Sequence, residues 1–372
     1  MTATPQMPES LPSLDGLRAI AALLVVFVHF TFYVAPESPF HYLQLFPGAR
    51  FPFGPVGVAG FFTLSGFLMA YLYAWRPCTA PALLGYLVAR FARIVPAYWL
   101  TLLLCFCLYR WLDGAFVFRI DGQNLLRHLL FLGSEGVFWS IPPEIQYYLL
   151  FAVLWGGWQQ WLAGQWRGPL LLALLCVGLM LSRDYWPGIL LPAKLHFFLA
   201  GSAAALLLRA LQRRLHPSPR TLMGLQLGML LVLACALAGL VGVAQQTFYL
   251  HHPFFLLVAL LLLLFAWRTP LSDALLGNRP LRWLGRVSFS VYLLHVPVIF
   301  ALVLLEGALA LICSVSHLLG VLLAVLLPGL ACEYIELPLC RACRQWAQRR
   351  GEALLLRRQR AGDDLEFAEA RP

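Results

Sequence analysis

The sequence predicts an all-α protein, a polytopic bundle of about ten membrane-spanning helices with both termini in the cytoplasm. Three observations lead there. Of 372 residues, 61% are hydrophobic and 12% charged, with a mean hydropathy of +0.77, far from the composition of soluble domains. Apolar runs long enough for a hydrocarbon core of about 30 Å fall at 17–34, 55–75, 95–111, 143–158, 169–183, 192–208, 223–244, 250–267, 287–305 and 308–331. On an alternating topology, 20 of the 27 Lys and Arg lie on the side of the two termini and 6 on the other, with Arg18 at the first boundary. The net charge of +10 is then a topology signal and a contact with anionic lipid, and no nucleic-acid partner is expected.

The first span reads as retained rather than cleaved, because Glu9 and Asp15 precede it in place of a basic cluster and Tyr33 spoils a small-residue cleavage site. Its "LDGLRAIAALLVVFVHF" separates Arg18 from His29 by eleven residues. At about 100° per residue that is close to three turns, so both share one helix face over about 16 Å of rise, with Asp15 a turn before Arg18. Ionisable groups inside spans usually face a polar cavity. Imidazole, with an ordinary pKa of about 6.5, suits a base that takes a proton from an alcohol. The other reading is a histidine bonded to a neighbouring helix.

The second span carries Gly57, Gly60, Ser65 and Gly66, small residues that allow close helix packing and, secondarily, line a cavity. "YLVARFARIVPAYWL" places Arg90 and Arg93 on one face where the third span enters from the cytoplasm. Such a pair can hold phosphates of an anionic donor such as acyl-CoA, or simply anchor the helix. "FWSIPPEIQYYLLF" opens the fourth span with two prolines and Glu144, a carboxylate favoured at a helix start whether or not it also acts on a substrate. This topology puts Glu144 at the outer end of its span and His29 between it and the inner arginines. Spans five to eight are placed on hydropathy alone. In the ninth, "VSFSVYLLHVPVI" sets Tyr292 and His295 on one face, a polar stripe suggesting a cavity shared with His29.

The nine cysteines imply no disulfide framework, since five lie inside spans. "CRAC", from Cys340 to Cys343, has half-site spacing without enough further ligands, so no metal is expected. Residues 1–339 read as the membrane domain. Residues 340–372 read as a basic cytoplasmic tail, a short amphipathic surface helix with a disordered end.

These stretches, with "GFFTLSGFLM" and "YIELP", resemble the acyltransferase-3 family of integral membrane O-acyltransferases over nearly the whole chain. The family's Arg, ten residues, His pattern falls on Arg18 and His29, and its Arg, two residues, Arg pattern on Arg90 and Arg93; both are regarded there as required for activity. Glu144 matches one of an often paired set of acids, with Ile145 at the second position, and Ala59 and Gly60 stand where many members carry an acid. Those departures bear on the choice of acceptor.

The resemblance implies transfer of an acyl group, usually acetyl from acetyl-CoA, to a hydroxyl of a glycan, glycolipid or glycosylated metabolite at the bacterial inner membrane, with no bound cofactor. His29 would be the base, Arg90 and Arg93 the holders of the CoA phosphates, and Arg18 the group orienting the donor. Asp15, Ser65, Tyr292 and His295 are candidate cavity residues. A tail of about 33 residues is too short for the esterase-like domain some members add, so the membrane domain would meet its acceptor or pass the acyl group to a separate protein. The competing class is a non-catalytic transporter of sugars or lipids, because buried His and Glu also build proton relays.

Overall fold

The ten apolar runs become ten apolar helices in the computed structural model, which describes residues 11–33, 53–239, 245–309, 314–343 and 345. They are α1 (Pro12–Tyr33), α2 (Phe53–Tyr73), α3 (Ala80–Trp111), α4 (Ile141–Leu162) and α5 (Arg167–Leu181). The second half contributes α6 (Leu195–Arg214), α7 (Pro219–Gly239), α8 (Phe254–Phe265), α9 (Arg279–Leu309) and α10 (Ser314–Ala331). No strand occurs among the described residues. Eight of these helices are long and apolar enough to cross a membrane, the last after running on through a π-helical turn at Cys332–Glu336.

Three boundaries depart most from the sequence expectation. Helix α9 begins at Arg279 rather than 287, and α8, with Pro253 as its N-cap, is shorter than the expected 250–267; α8 with 12 residues and α5 with 15 are both short of the roughly 20 that cross a bilayer unaided. Helix α3 begins at Ala80 rather than near 95, with the Thr79 side chain accepting from the Ala82 N–H and Pro81 in the first turn. Arg90 and Arg93 are therefore inside a 32-residue helix, not in the loop before it. Their charge lowers the local hydropathy and hides the helix's first turns from a sequence reading. Most of the tail, including its expected surface helix, lies outside the described residues.

The core is built from α1 packed between α2 and α9, α2 against α6, and α9 against α10. Close approach explains two glycines: a Cβ at Gly66 would overlap the Phe198 carbonyl, and one at Gly201 the Thr63 carbonyl, so α2 and α6 touch backbone to backbone. Gly57 likewise abuts the Ala21 carbonyl of α1. Inside α3, Pro96 leaves the Ala92 carbonyl without its helical donor. The Cys340 thiol fills that vacancy, donating to Ala92 O at 2.7 Å, as a freed carbonyl inside a membrane requires. The first cysteine of "CRAC" thus serves packing.

Candidate active site

Two adjoining cavities enter the bundle between α1, α2 and α3, and share Arg18, Leu68, Arg90 and Arg93 as walls. The shallower is lined by Leu11 and Asp15 near the start of α1 and by Tyr71 to Tyr73 at the end of α2. The deeper reaches Ser65, Ser140, Glu144, Tyr148 and Tyr292. Arg18 is held by Asp15 at 3.3 Å. Arg90 is 9% exposed, and its guanidinium lies 5.5 Å from the centre of the Tyr73 ring. Its Nε has no hydrogen-bond partner among the described residues, so it is open to an acceptor entering the cavity.

Glu144 sits in the first turn of α4, where Pro142 and Pro143 occupy positions whose N–H groups are not needed by the helix. Ser65 Oγ donates to its carboxylate at 2.5 Å and Tyr148 OH at 2.9 Å, while Arg90 and Arg93 are close enough to act on it by charge. Three guanidiniums thus face two carboxylates around the paired cavities, in a low-dielectric surrounding that strengthens each interaction.

His29 and His295 meet across α1 and α9, ring centres 5.0 Å apart and His29 Nδ1 to His295 Nε2 at 3.2 Å. Backbone carbonyls only accept, which fixes both neutral tautomers. His295 Nδ1 donates to Val291 O at 2.9 Å, so its Nε2 accepts. His29 Nδ1 then carries the proton, shared between Val25 O at 2.9 Å and His295, and His29 Nε2 is left as the basic nitrogen. Neither histidine lines the two cavities. Tyr292 connects them: it lines the deeper cavity, its ring is 6.2 Å from that of His295, and its OH accepts from Ser140 at 2.8 Å while donating to Val137 O at 2.9 Å.

The structure therefore gathers Arg18, Ser65, Arg90, Arg93, Glu144 and Tyr292 around the deeper void and Asp15 at its entrance, and pairs His29 with His295. It does not set His29 between the arginines and Glu144; those share one cavity and the histidines stand to the side. Tyr148 escaped the sequence reading although its i+4 spacing from Glu144 announces the contact. Glu336 also escaped: buried on the π-helical turn, it accepts from Ser290 and acts by charge on Arg93. The acid inside "YIELP" was its only signal.

Such a bundle, with arginines and a carboxylate converging on a cavity inside the apolar region, defines a multi-pass membrane protein. The acyltransferase-3 family model, described as an acyltransferase domain, matches residues 11–334, and the chain belongs to that family. It is 25% identical over 327 residues to the peptidoglycan O-acetyltransferase OatA of Listeria monocytogenes. The alignment covers 77% of this chain and 49% of that protein, so the chain spans about half the length of the curated relative. No solved structure gives a significant match.

Proposed function

We propose that the protein is an O-acyltransferase of the bacterial inner membrane, moving an acyl group, in the simplest case acetyl, from acyl-CoA to a hydroxyl of a glycan, glycolipid or glycosylated metabolite. One observation carries the donor assignment: the buried Arg90 Nε without a partner, in a cavity walled also by Arg18 and Arg93. Phosphate oxygens would satisfy that donor and the neighbouring guanidiniums in paired geometry. Family membership supports acyl transfer, and the name of the relative supports a glycan acceptor.

The basic residues favour both termini, the start of α1 and the end of α2 on the cytoplasmic side, where CoA is found. The charged nucleotide enters as far as the arginines, whose guanidiniums offset the cost of taking its phosphates out of water, and the thin pantetheine arm reaches further inward. Arg18, steadied by Asp15, orients the donor. Glu144, held by Ser65 and Tyr148, orients the acceptor hydroxyl. That oxygen attacks the thioester carbonyl; its proton goes through an intervening water to His29 Nε2, which lies beside the cavity rather than in its lining; the C–S bond breaks, and the proton returns by the same route to the departing thiolate. Residues 1–339 would form the transferase and the basic tail would lie in the cytoplasm.

Purified protein in lipid discs, given labelled acetyl-CoA and envelope glycans, is expected to form an ester and release CoA. Counterflow of a sugar in sealed proteoliposomes, with neither product formed, would replace this reading with transport.

A further inference from the structure

A second cavity stands apart from the arginines. It is lined by Arg127, by Trp139 of the turn Gly136–Ser140, by Asp184, Trp186 and Lys194 of the α5–α6 connection, and by Tyr249 of the short helix Gln245–Leu250. Followed along alternating helices, these segments fall at the end of the bundle opposite the start of α1 and the end of α2. Lys194 is only 4% exposed. Its Nζ lies 4.3 Å from the centre of the Tyr249 ring and 5.6 Å from that of Trp139. No ion pair includes it among the described residues, and Asp184, the acid in this lining, lies 3.4 Å from His251 Nε2. An ammonium so placed is short of counter-charge.

A thin wall separates this cavity from the arginine-lined one. The Trp139 ring meets Phe62 edge to face at 6.2 Å, and both Phe62 and the next residue, Ser140, line the deeper inner void. The Trp139–Phe62 contact thus joins the linings of the two cavities.

We infer that this cavity is the port for the acceptor and that it takes a saccharide bearing a carboxylate. The inference rests on the acyl-transfer reading above. Aromatic side chains present flat apolar surface to the C–H face of a sugar ring, and a carboxylate on that sugar completes the coordination of Lys194. The acceptor then meets the donor across the Trp139–Phe62 wall, entering from the opposite end of the bundle.

The test uses full-length protein in lipid discs without donor. Titration calorimetry at pH 7 compares trisaccharides of galacturonate, mannuronate and guluronate with their neutral counterparts. At least one acidic trisaccharide should bind about tenfold more tightly than its neutral partner, the scale of a charge-assisted hydrogen bond. Lys194→Met should erase that preference, and Trp186→Ala should weaken acidic and neutral sugars alike. Should Lys194→Met fail to keep the native thermal transition, Lys194→Gln serves the same comparison. Equal binding of acidic and neutral sugars, no binding of either, or a preference that survives loss of the ammonium overturns the inference. CoA release from acetyl-CoA is followed separately in the native protein. Its absence counts against acyl transfer and not against saccharide binding, so the two failures are told apart.

Discussion

The arginine-lined cavity and the aromatic one handle charge in opposite ways. In the first, three guanidiniums and two carboxylates come from the interiors or first turns of α1, α3 and α4, each fixed by a helix, and Arg90 Nε has no acceptor among the described residues. In the second, a single ammonium rests on aromatic faces supplied by connecting segments. The difference bears on which substrate part each suits: a cluster of fixed guanidiniums suits a polyanion, and ring faces around a buried ammonium, with Arg127 the other cation of the lining, suit a flat, lightly charged ligand.

The largest expected effect breaks the reaction while leaving that contrast intact. His29→Ala should lower ester formation by about 100 to 10,000-fold, the usual loss of a general base, with acetyl-CoA and acceptor affinity near native in binding assays. Near-native turnover would move the proton transfer to Glu144, inside the cavity itself. Next in size, replacing Arg90 and Arg93 by Gln should raise the KM for acetyl-CoA by roughly tenfold per arginine, as expected for lost charge-assisted bonds. Donors lacking the ribose phosphate should suffer less in the variants than in the native protein. Lys at either position should rescue only in part, since it offers a point charge where the guanidinium offers a fork. Unchanged KM would leave these arginines as helix anchors and dissolve the contrast with Lys194.

Legibility in the sequence follows the same division. Arg18, His29, Glu144 and His295 stand out because ionisable groups are rare against an apolar background, and the number and order of apolar helices follow from hydropathy alone. Arg90 and Arg93 were found for that reason and misplaced for it too, since their charge disguised the first turns of α3. Trp139, Trp186 and Tyr249 gave no signal, because aromatic residues near the ends of spans are ordinary interface anchors. Only folding brings them around Lys194. Nor does helix periodicity tell that His29, on the face of Arg18, sits beyond the cavity that Arg18 lines; that depends on which helix α1 meets at each level.

A pH series sharpens the comparison from the side of the outer cavity. Burial pushes the Lys194 ammonium down to about 8. An acidic saccharide needs the charged form, so its affinity should hold steady below pH 8 and fall about tenfold per pH unit above it. The other charged or titratable groups nearby are Arg127, Arg183, Asp184, His196, Tyr249 and His251. The series is therefore repeated in Lys194→Met, where the step near pH 8 should vanish. A step that persists would assign it to one of those neighbours.

The smallest effect concerns His295, which touches the reaction only through His29. The proton on His29 Nδ1 has two acceptors, the Val25 carbonyl at 2.9 Å and His295 Nε2 at 3.2 Å. His295→Leu removes the longer one and leaves the carbonyl, so the tautomer that keeps His29 Nε2 basic should survive. What is lost is one neutral hydrogen bond, about 1 kcal/mol, or roughly a fivefold fall in kcat. The apolar replacement also leaves no new buried donor on α9. KM for acetyl-CoA should not move, because the arginines are untouched. His295→Gln, which can again offer an acceptor to the same proton, should recover part of the rate. A loss in His295→Leu as large as that in His29→Ala would mean that the two imidazoles pass a proton between them and act as one unit, and His295 would then belong to the chemistry rather than to its support.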